Sequence, residues 1–520
     1  MTSRLRSTIL AALLASPLAR DARAQDPPKT VPAPTAPKPP EAKPAEKTRG
    51  AGVNDEPIVT RHEVPLGGKP LKYTATAGYL PLKAEGGEPE AHIFFIAYTR
   101  DDAGEKARRP LTFSFNGGPG SASVWLHLGA LGPKRVAFPD GGETPAPPFR
   151  LVDNASTWLD ETDLVFIDPV GTGYSRAAKP ELTRKFHGLQ GDLDSVGEFI
   201  RMYITRNERW GSPLFLVGES YGTTRAAGLS DRLVERGIAL NGIVLVSTVL
   251  NFQTIRPAKG NDLPFILYLP TYTATAWYHK KLADDLQADR KAALAEAARW
   301  AEGEYSAALM QGDRLPPEKV KEVARRLGRL TGLDPVYVER SNLRVDPTRF
   351  RKELLRDRGK TVGRLDGRFL GVDELAVTDR PEDDPSQSAI RPAYTSTFNQ
   401  YIRADLGFAS DVPYFILGEG VGHWDYGPSG MGYADTSDAL RDAMAKNPAL
   451  KVLVASAYYD LATPYRAAEY TLAHMGIDPA VRRNIRVEEY ESGHMMYLHG
   501  PSLAKLKADV ASFFRDTLGR

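Results

Sequence analysis

Short apolar runs alternate with segments of helical spacing along the first half of the chain. Runs with the composition of buried strands occupy residues 91–98, 111–115, 163–167 and 214–217. Between the last two, residues 192–206 repeat apolar side chains at helical spacing. Strands that alternate with helices favour an α/β fold with a mainly parallel sheet. The polar turn between the first two runs indicates that this sheet starts with antiparallel strands.

A different pattern fills residues 252–410. Helical spacing dominates there, at 291–309, 316–330 and 349–356. We expect a mostly helical insertion that forms a candidate lid over a site in the core. It divides an α/β core into a first part, residues 51–251, and a second part, residues 411–520. The second part regains the α/β pattern, with predicted strands at 450–455 and 485–490 and predicted helices at 465–475 and 503–518.

The N-terminal residues 1–24 have the features of a signal peptide. Arg4 and Arg6 supply positive charge, a short apolar core follows, and Ala-Arg-Ala at 22–24 is a typical cleavage site. Residues 25–50 form a linker rich in Pro, Ala and Lys, a composition that favours an extended chain. We therefore expect an exported protein, periplasmic or secreted, whose mature form has no membrane segment.

Composition narrows the possible partners and chemistry. The chain has 520 residues, 42% of them hydrophobic and 25% charged, which is typical of a folded protein. Its 67 basic and 65 acidic residues give a net charge of +2, which does not favour nucleic acid or an anionic membrane as a partner. The absence of cysteine excludes disulfides, thiol catalysis and cysteine-bound metal.

The sequence Gly-Glu-Ser-Tyr-Gly at 218–222 lies between a predicted strand and a predicted helix. In that order the three elements form a nucleophile elbow, a sharp turn that exposes the hydroxyl of Ser220. Glycine is needed at both ends because a Cβ there would collide with neighbouring backbone. The pentapeptide alone is weak evidence, since an ordinary strand-to-helix turn can also contain serine.

A serine nucleophile needs a base and an acid that orients the base. In folds with a nucleophile elbow, the acidic residue follows the serine in the sequence and the histidine follows the acid. Asp460 comes just after the strand predicted at 450–455, and His494 just after the strand predicted at 485–490. Asp460 could instead cap a helix, and His494 could be a turn residue. His499 is the rival base. The backbone N–H groups that stabilise an oxyanion should come from Tyr221 and from the glycine-rich loop 116–120.

Five motifs occur in order along the chain: Asn-Gly-Gly-Pro-Gly-Ser (116–121), Leu-Gly-Pro (131–133), Asp-Pro-Val-Gly-Thr-Gly-Tyr-Ser (168–175), Gly-Glu-Ser-Tyr-Gly (218–222) and Gly-His-Met (493–495). Through these motifs the chain resembles the serine carboxypeptidase family, peptidases of the α/β-hydrolase fold, as an exported member of bacterial type.

The resemblance implies a role for each residue of the site. Ser220 is then the nucleophile, Asp460 the acid and His494 the base, and the Gly118 and Tyr221 amides form the oxyanion hole. Three further residues would hold the free C-terminal carboxylate of a peptide: Asn116, Gly117 and Glu219.

The chain departs from the family pattern at Ala130, where the family usually has a glutamate. In the family that glutamate pairs with the glutamate directly before the nucleophile, which is Glu219 in this chain. We expect a lone Glu219 to be ionised and to repel a carboxylate ligand unless a lysine, an arginine or burial intervenes. The pH optimum should then lie nearer neutral than is usual for the family. Tyr497 is a second departure, because the family usually has proline there.

The sequence thus predicts a serine-type carboxypeptidase that acts on peptide or protein C-termini and uses no cofactor and no metal. Two alternatives remain open. One is an esterase or acyltransferase on the same scaffold, which Ala130 favours. The other is a non-catalytic binding protein with a hydrolase fold. The side-chain preference and the oligomeric state do not follow from the sequence.

Overall fold

A mixed β-sheet runs through the computed structural model, which describes residues 56–427 and 432–520. The predicted signal peptide at 1–24 and the linker at 25–50 lie outside the described residues. Within the described residues the chain forms fourteen strands. In chain order they are β1 (Ile58–Leu66), β2 (Lys69–Lys83), β3 (Pro89–Arg100), β4 (Leu111–Phe115), β5 (Lys134–Val136), β6 (Leu151–Asp153), β7 (Asp163–Ile167), β8 (Arg176–Ala177), β9 (Leu214–Glu219), β10 (Gly242–Val246), β11 (Thr361–Val362), β12 (Leu370–Gly371), β13 (Lys451–Ala457) and β14 (Ile485–Tyr490).

Ten of these strands form one sheet in the order β1-β2-β3-β7-β4-β9-β10-β13-β14, with β8 paired to β3. The pairs β1–β2, β2–β3 and β3–β7 are antiparallel, and the pairs from β7–β4 to β13–β14 are parallel. The expected α/β fold with antiparallel N-terminal strands is therefore confirmed. The turn between β3 and β4 does not make them neighbours, because β7 lies between them.

Helices pack on both faces of the sheet and fill the segment between β10 and β13. The described residues contain sixteen α-helices, which are α1 (Val124–Leu126), α2 (Thr183–Phe186), α3 (Leu189–Arg206), α4 (Tyr221–Glu235), α5 (Leu263–Tyr278), α6 (Asp284–Ala288), α7 (Arg290–Trp300), α8 (Ser306–Gln311), α9 (Pro317–Thr331), α10 (Pro335–Arg340), α11 (Pro347–Glu353), α12 (Pro385–Ala404), α13 (Ser437–Lys446), α14 (Tyr465–Ala473), α15 (Pro479–Arg482) and α16 (Gly500–Leu518).

Strand β9 shows how the sheet is buried on both faces. Phe215 packs in one apolar cluster with Phe514 of α16, and their ring centroids are 4.2 Å apart. Leu216 points to the opposite face, into a second cluster with Phe199 of α3 and Leu229 of α4. All six residues of β9 are buried. A parallel strand covered on both faces is expected to be a continuous apolar run, as this one is up to the elbow.

Of the helices between β10 and β13, α5 to α11 share an apolar cluster of their own, and the buried apolar side chains of α12 belong to the cluster that contains Phe215. The Tyr272 ring of α5 stacks on the Phe350 ring of α11 with centroids 4.1 Å apart, and Trp300 stacks on Tyr305. Two of these helices contain an internal proline, Pro270 in α5 and Pro392 in α12. Proline removes a helical hydrogen bond, so the sequence pattern did not predict these two helices. The division of the chain at residues 252 and 410 stays a prediction.

Within residues 56–427 and 432–520, none of the helices combines the length and the apolar character that crossing a membrane requires.

Candidate active site

Ser220 lies in a strained turn between β9 and α4. Its backbone has φ 60° and ψ −130°, a conformation that non-glycine residues rarely adopt. A Cβ on Gly218 would lie 2.1 Å from the Gly222 carbonyl oxygen, and one on Gly222 would lie 2.8 Å from the Phe115 carbonyl oxygen. Glycine at these two positions lets the turn close tightly, so the serine stands at the end of the strand as a nucleophile elbow requires.

Asp460 and His494 are in direct contact beyond the ends of β13 and β14. The distance from His494 Nδ1 to Asp460 Oδ2 is 2.7 Å, and both side chains are buried. The backbone N–H groups of Ala462 and Thr463 donate to Asp460 Oδ1 at 2.8 and 2.9 Å, and the Thr463 hydroxyl donates to Oδ2 at 2.7 Å. These contacts fix the carboxylate against Nδ1, which leaves Nε2 of His494 as the proton acceptor.

The charge of Asp460 also controls the basicity of the imidazole. Burial is the largest single influence and lowers the pKa of His494, but the charge and hydrogen bond of Asp460, together with the charge of Glu219, raise the pKa above its ordinary value. A carboxylate in this position stabilises the imidazolium that forms when the ring takes a proton.

Three further hydrogen bonds hold the backbone at Gly493 and His494. Its N–H donates to the Leu365 carbonyl at 2.6 Å, and its carbonyl accepts from the Ser247 hydroxyl at 2.5 Å. The neighbouring Gly493 N–H donates to Asp366 Oδ2 at 3.1 Å. Residues 365 and 366 lie between β11 and β12, in the segment predicted as an insertion. That segment therefore helps to orient the imidazole.

The rival base, His499, lies at the start of α16, where its Nδ1 is 2.8 Å from the Ser502 hydroxyl. It does not line either of the two described cavities that reach Ser220. The structure therefore groups His494, and not His499, with the serine.

The loop that contains Asn116, Gly117 and Gly118 follows β4 and packs directly on the elbow. A Cβ on Gly117 would lie 2.4 Å from the Tyr221 backbone nitrogen, so only glycine permits this approach. Gly118 has φ +101° and, together with Tyr221, lines a cavity that contains Ser220. The two residues expected to supply oxyanion-hole amides are thus brought to the nucleophile.

A buried ion pair that the sequence reasoning missed joins the loop to the elbow. Arg225 of α4 donates through Nη1 to the Asn116 carbonyl at 2.7 Å and through Nε to Asp192 Oδ2 at 2.9 Å. The Tyr221 hydroxyl donates to the same oxygen of Asp192 at 3.1 Å. Arg225 is 1% exposed, so its loss would leave a buried carboxylate unpaired. The only sequence signal is an arginine five residues after the nucleophile, in the helix that follows it.

Glu219 differs from the expected lone ionised carboxylate. Burial raises its pKa to about 7, although His494 and a hydrogen bond from Tyr497 act in the opposite direction. The Tyr497 hydroxyl donates to Glu219 Oε2 at 2.7 Å. Burial therefore removes the expected repulsion below neutral pH. Tyr497, a departure from the family pattern, supplies a hydrogen-bonding partner where Ala130 cannot.

Two cavities meet at Ser220. The first, of about 120 Å³, is lined by Asn116, Gly117, Glu219 and His494 among others, and we call it the His494 cavity. The second, of about 270 Å³, is lined by Tyr221, Thr463 and residues of the segment between β10 and β13, including Arg256, Arg351 and Arg364. We call it the arginine cavity. Gly118 and Arg364 line both, so a bound chain could pass from one cavity to the other across the serine.

Comparison with known proteins connects this geometry to one family. The family model described as "Serine carboxypeptidase" matches residues 65–310. Pheromone-processing carboxypeptidase KEX1 of Saccharomyces cerevisiae is 36% identical over 156 residues, which cover 28% of this chain and 20% of that protein. Serine carboxypeptidase-like 36 of Arabidopsis thaliana is 30% identical over 151 residues, which cover 27% of this chain and 29% of that protein. The chain thus matches less than a third of the length of each of these two relatives.

A solved structure agrees in fold over a much larger part of the chain. The crystal structure of a prohormone-processing carboxypeptidase from Saccharomyces cerevisiae superposes with a TM-score of 0.53 and 16% sequence identity. The superposition covers 85% of this chain and 91% of that one. At this identity the likeness concerns the fold.

Proposed function

We propose that this chain, a member of the serine carboxypeptidase family, hydrolyses C-terminal peptide bonds through an acyl-enzyme on Ser220. The observation that supports it best is the composition of the His494 cavity. Ser220 and the histidine paired with Asp460 line this cavity together with Asn116 and with Glu219, a buried carboxyl whose pKa is about 7. A nucleophile and its base thus lie beside groups that can bind a carboxylate.

The reaction begins when Ser220 Oγ attacks the scissile carbonyl carbon and its proton passes to Nε2 of His494. The backbone amides of Gly118 and Tyr221 donate to the oxyanion of the tetrahedral intermediate. The C–N bond then breaks, and His494 gives the proton to the leaving amine. A water molecule, deprotonated by the same imidazole, hydrolyses the acyl-enzyme and releases Ser220. Asp460 holds the imidazole in the required tautomer throughout.

Selection of a free C-terminus rests on the protonated form of Glu219. Below about pH 7 this carboxyl keeps its proton and can donate a hydrogen bond to the substrate's terminal carboxylate. Asn116 and the Gly117 amide supply further donors in the same cavity. An amidated C-terminus carries no negative charge and gains less from these donors.

The test compares three substrates that differ only at the C-terminus: an N-blocked dipeptide with a free carboxylate, its amide and its methyl ester. At pH 6 we expect kcat/KM for the free acid to exceed that for the amide about tenfold or more, because charge-assisted hydrogen bonds are lost in the amide. Equal turnover of the acid and the amide would contradict the carboxypeptidase proposal.

The Ser220→Ala variant examines the nucleophile itself. It should lose about 10⁶-fold in kcat on all three substrates and should not react with a fluorophosphonate probe. Its thermal unfolding midpoint, measured beside the parent protein, shows whether the fold is intact. A folded parent protein that the probe does not label would support a non-catalytic binding protein instead.

Ala130 favours the second candidate, an esterase or acyltransferase on the same scaffold. Without a second carboxyl opposite Glu219, fewer groups hold a terminal carboxylate. In the three-substrate assay this candidate is supported if the ester is cleaved and neither the acid nor the amide is.

We also propose that the chain is exported, on the strength of the signal-peptide pattern at 1–24. Expression of the full chain in a bacterial host with a secretion pathway should yield a mature protein that starts near Gln25. N-terminal sequencing of the exported protein tests this, and an intact Met1 would contradict it.

A further inference from the structure

The position of His494 distinguishes the two sides of the site. In the proposed reaction the imidazole passes its proton to the leaving amine, so the C-terminal residue must lie beside His494. His494 lines the smaller of the two cavities and does not line the arginine cavity. The acyl part of the substrate, which ends at the scissile carbonyl, is therefore directed into the arginine cavity. This step rests on the proposed function.

The arginine cavity is positively charged. Arg256, Arg351 and Arg364 line its wall, and no aspartate or glutamate is among the described residues that line it. The remaining lining side chains are uncharged, and most are apolar, as Phe252 and Leu461 are. When the charged residues that line a cavity all have the same sign and the rest of the wall is apolar, the attraction for a group of opposite charge is stronger.

The positive charges of the three arginines are compensated to different degrees by neighbouring groups of the protein. Arg351 is buried, lies 3.6 Å from an Asp384 oxygen and donates to the Val362 carbonyl, so its charge is partly compensated. Arg256 is exposed and donates to the neutral Tyr426 hydroxyl at 3.1 Å. In residues 56–427 and 432–520, no hydrogen bond or ion pair is found for the Arg364 guanidinium. Two guanidinium groups at this wall thus have no carboxylate partner among the described residues.

We propose that the arginine cavity selects substrates with an acidic residue, aspartate or glutamate, immediately before the scissile bond. A guanidinium group binds a carboxylate through two parallel hydrogen bonds, which gives both strength and orientation. Arg256 lines only this cavity and is the main contact for the acidic side chain. A lysine or arginine at the same substrate position meets like charges and is disfavoured.

Three N-blocked dipeptides with a common C-terminal phenylalanine test this proposal, with Glu, Gln or Lys as the first residue. Gln has nearly the shape of Glu without its charge. For the parent protein we expect kcat/KM to be about tenfold higher for Glu than for Gln, which is typical of a charge-assisted hydrogen bond. The Lys substrate should be the poorest. Raising the salt concentration should reduce the preference for Glu.

Variants at Arg256 assign the preference to the cavity. Arg256→Gln should lower the ratio of the Glu to the Gln rate several-fold, and Arg256→Lys, which keeps the charge, should retain more of it. Arg206→Gln is the matched control, because Arg206 is exposed on α3 and lines neither cavity. Its ratio should equal that of the parent protein. Thermal unfolding of each variant shows that it is folded.

The outcomes separate this proposal from the proposed function. Equal rates on the Glu and Gln substrates, or a preference for Lys, would overturn the selection of acidic residues and leave the carboxypeptidase activity standing. A Glu preference that Arg256→Gln leaves unchanged would overturn the assignment to this cavity. If the protein cleaves none of the three dipeptides, the proposed function itself fails, and this proposal fails with it.

Discussion

The two cavities that meet at Ser220 are built from different parts of the chain. Most polar groups of the His494 cavity come from the ends of sheet strands: Asn116 follows β4, Glu219 ends β9 and His494 follows β14. The wall of the arginine cavity comes largely from residues 252–364, between β10 and β13. The strand ends of the sheet thus hold the groups proposed to react and to bind the terminal carboxylate, and the intervening segment supplies the arginines proposed to select the residue before the scissile bond. Substitutions in that segment can change selectivity without moving the strand ends.

The cavities also differ in electrostatics. The buried carboxyl of Glu219, with its pKa raised to about 7 by burial, makes the His494 cavity sensitive to pH near neutrality. The arginine cavity keeps its positive charge over the whole working range, because arginine does not lose its proton in proteins. Changes in pH should therefore affect recognition mainly in the His494 cavity, whereas added salt should weaken carboxylate binding in both cavities, because Arg364 lines both.

After Ser220→Ala, the largest effect is expected from Asp460→Asn, at a residue that lines neither cavity. An asparagine amide can present N–H to Nδ1 of His494 and stabilise the wrong tautomer, which typically costs about 10⁴-fold in kcat. The loss should be the same for free-acid and ester substrates and for Glu and Gln dipeptides. Steady-state kinetics on all four check this. A loss confined to one substrate class would show that Asp460 serves recognition and not the imidazole.

A smaller effect, confined to the His494 cavity, is expected from pH. Below about pH 7 Glu219 is protonated and donates to the substrate's carboxylate, and above it the ionised group repels that carboxylate. The ratio of free-acid to ester kcat/KM should fall about tenfold between pH 7 and pH 8.5 as the protonated fraction declines. The titration of His494 affects kcat/KM for both substrates alike, so it does not change the ratio of the two values.

Glu219→Gln is the matched control for that pH dependence. Glutamine keeps a hydrogen-bond donor and cannot ionise, so the ratio should become flat from pH 6 to pH 9. A flat ratio in the parent protein would instead mean that Glu219 does not contact the terminal carboxylate.

The smallest effect is expected from Tyr497→Phe. The tyrosine donates to Glu219 Oε2 at 2.7 Å and so stabilises the ionised form. Without that donor the pKa of Glu219 should rise, and the fall in the ratio should move to higher pH. At pH 8 the variant should show about a threefold higher ratio of free-acid to ester turnover than the parent protein. A shift to lower pH would contradict the assigned direction of the hydrogen bond.

The sequence predicted what depends on local pattern. Strand β14 occupies the residues predicted for it, 485–490, where Ile485 and Val487 alternate with charged residues as in a partly buried strand, which is a local signal. Helix α5 was missed because its internal Pro270 normally ends a helix. Most side chains of α5 are buried, so packing compensates for the lost hydrogen bond.

Contacts between distant residues were less accessible. The strand ends of a parallel sheet meet at one edge, so the approach of Asp460 and His494 could be predicted from their place after two strands. The contact of Tyr497 with Glu219 joins residues 278 positions apart and has no motif. Tyr497 was noticed only as a departure from a family pattern. The common cavity of Arg256 and Arg364 depends on how the helical segment folds back over the sheet, which periodicity does not specify.

The hydrogen bonds from residues 365 and 366 to Gly493 and His494 bear on how the protein can be redesigned. They connect the segment between β10 and β13 to the loop that contains Gly493 and His494. This segment therefore cannot be exchanged without also affecting the proposed catalytic histidine. A chimera that replaces residues 252–410 as a block would exchange the substrate wall and the support of the base together. A point substitution at Arg256, intended to change the substrate preference, leaves the hydrogen bonds from residues 365 and 366 intact.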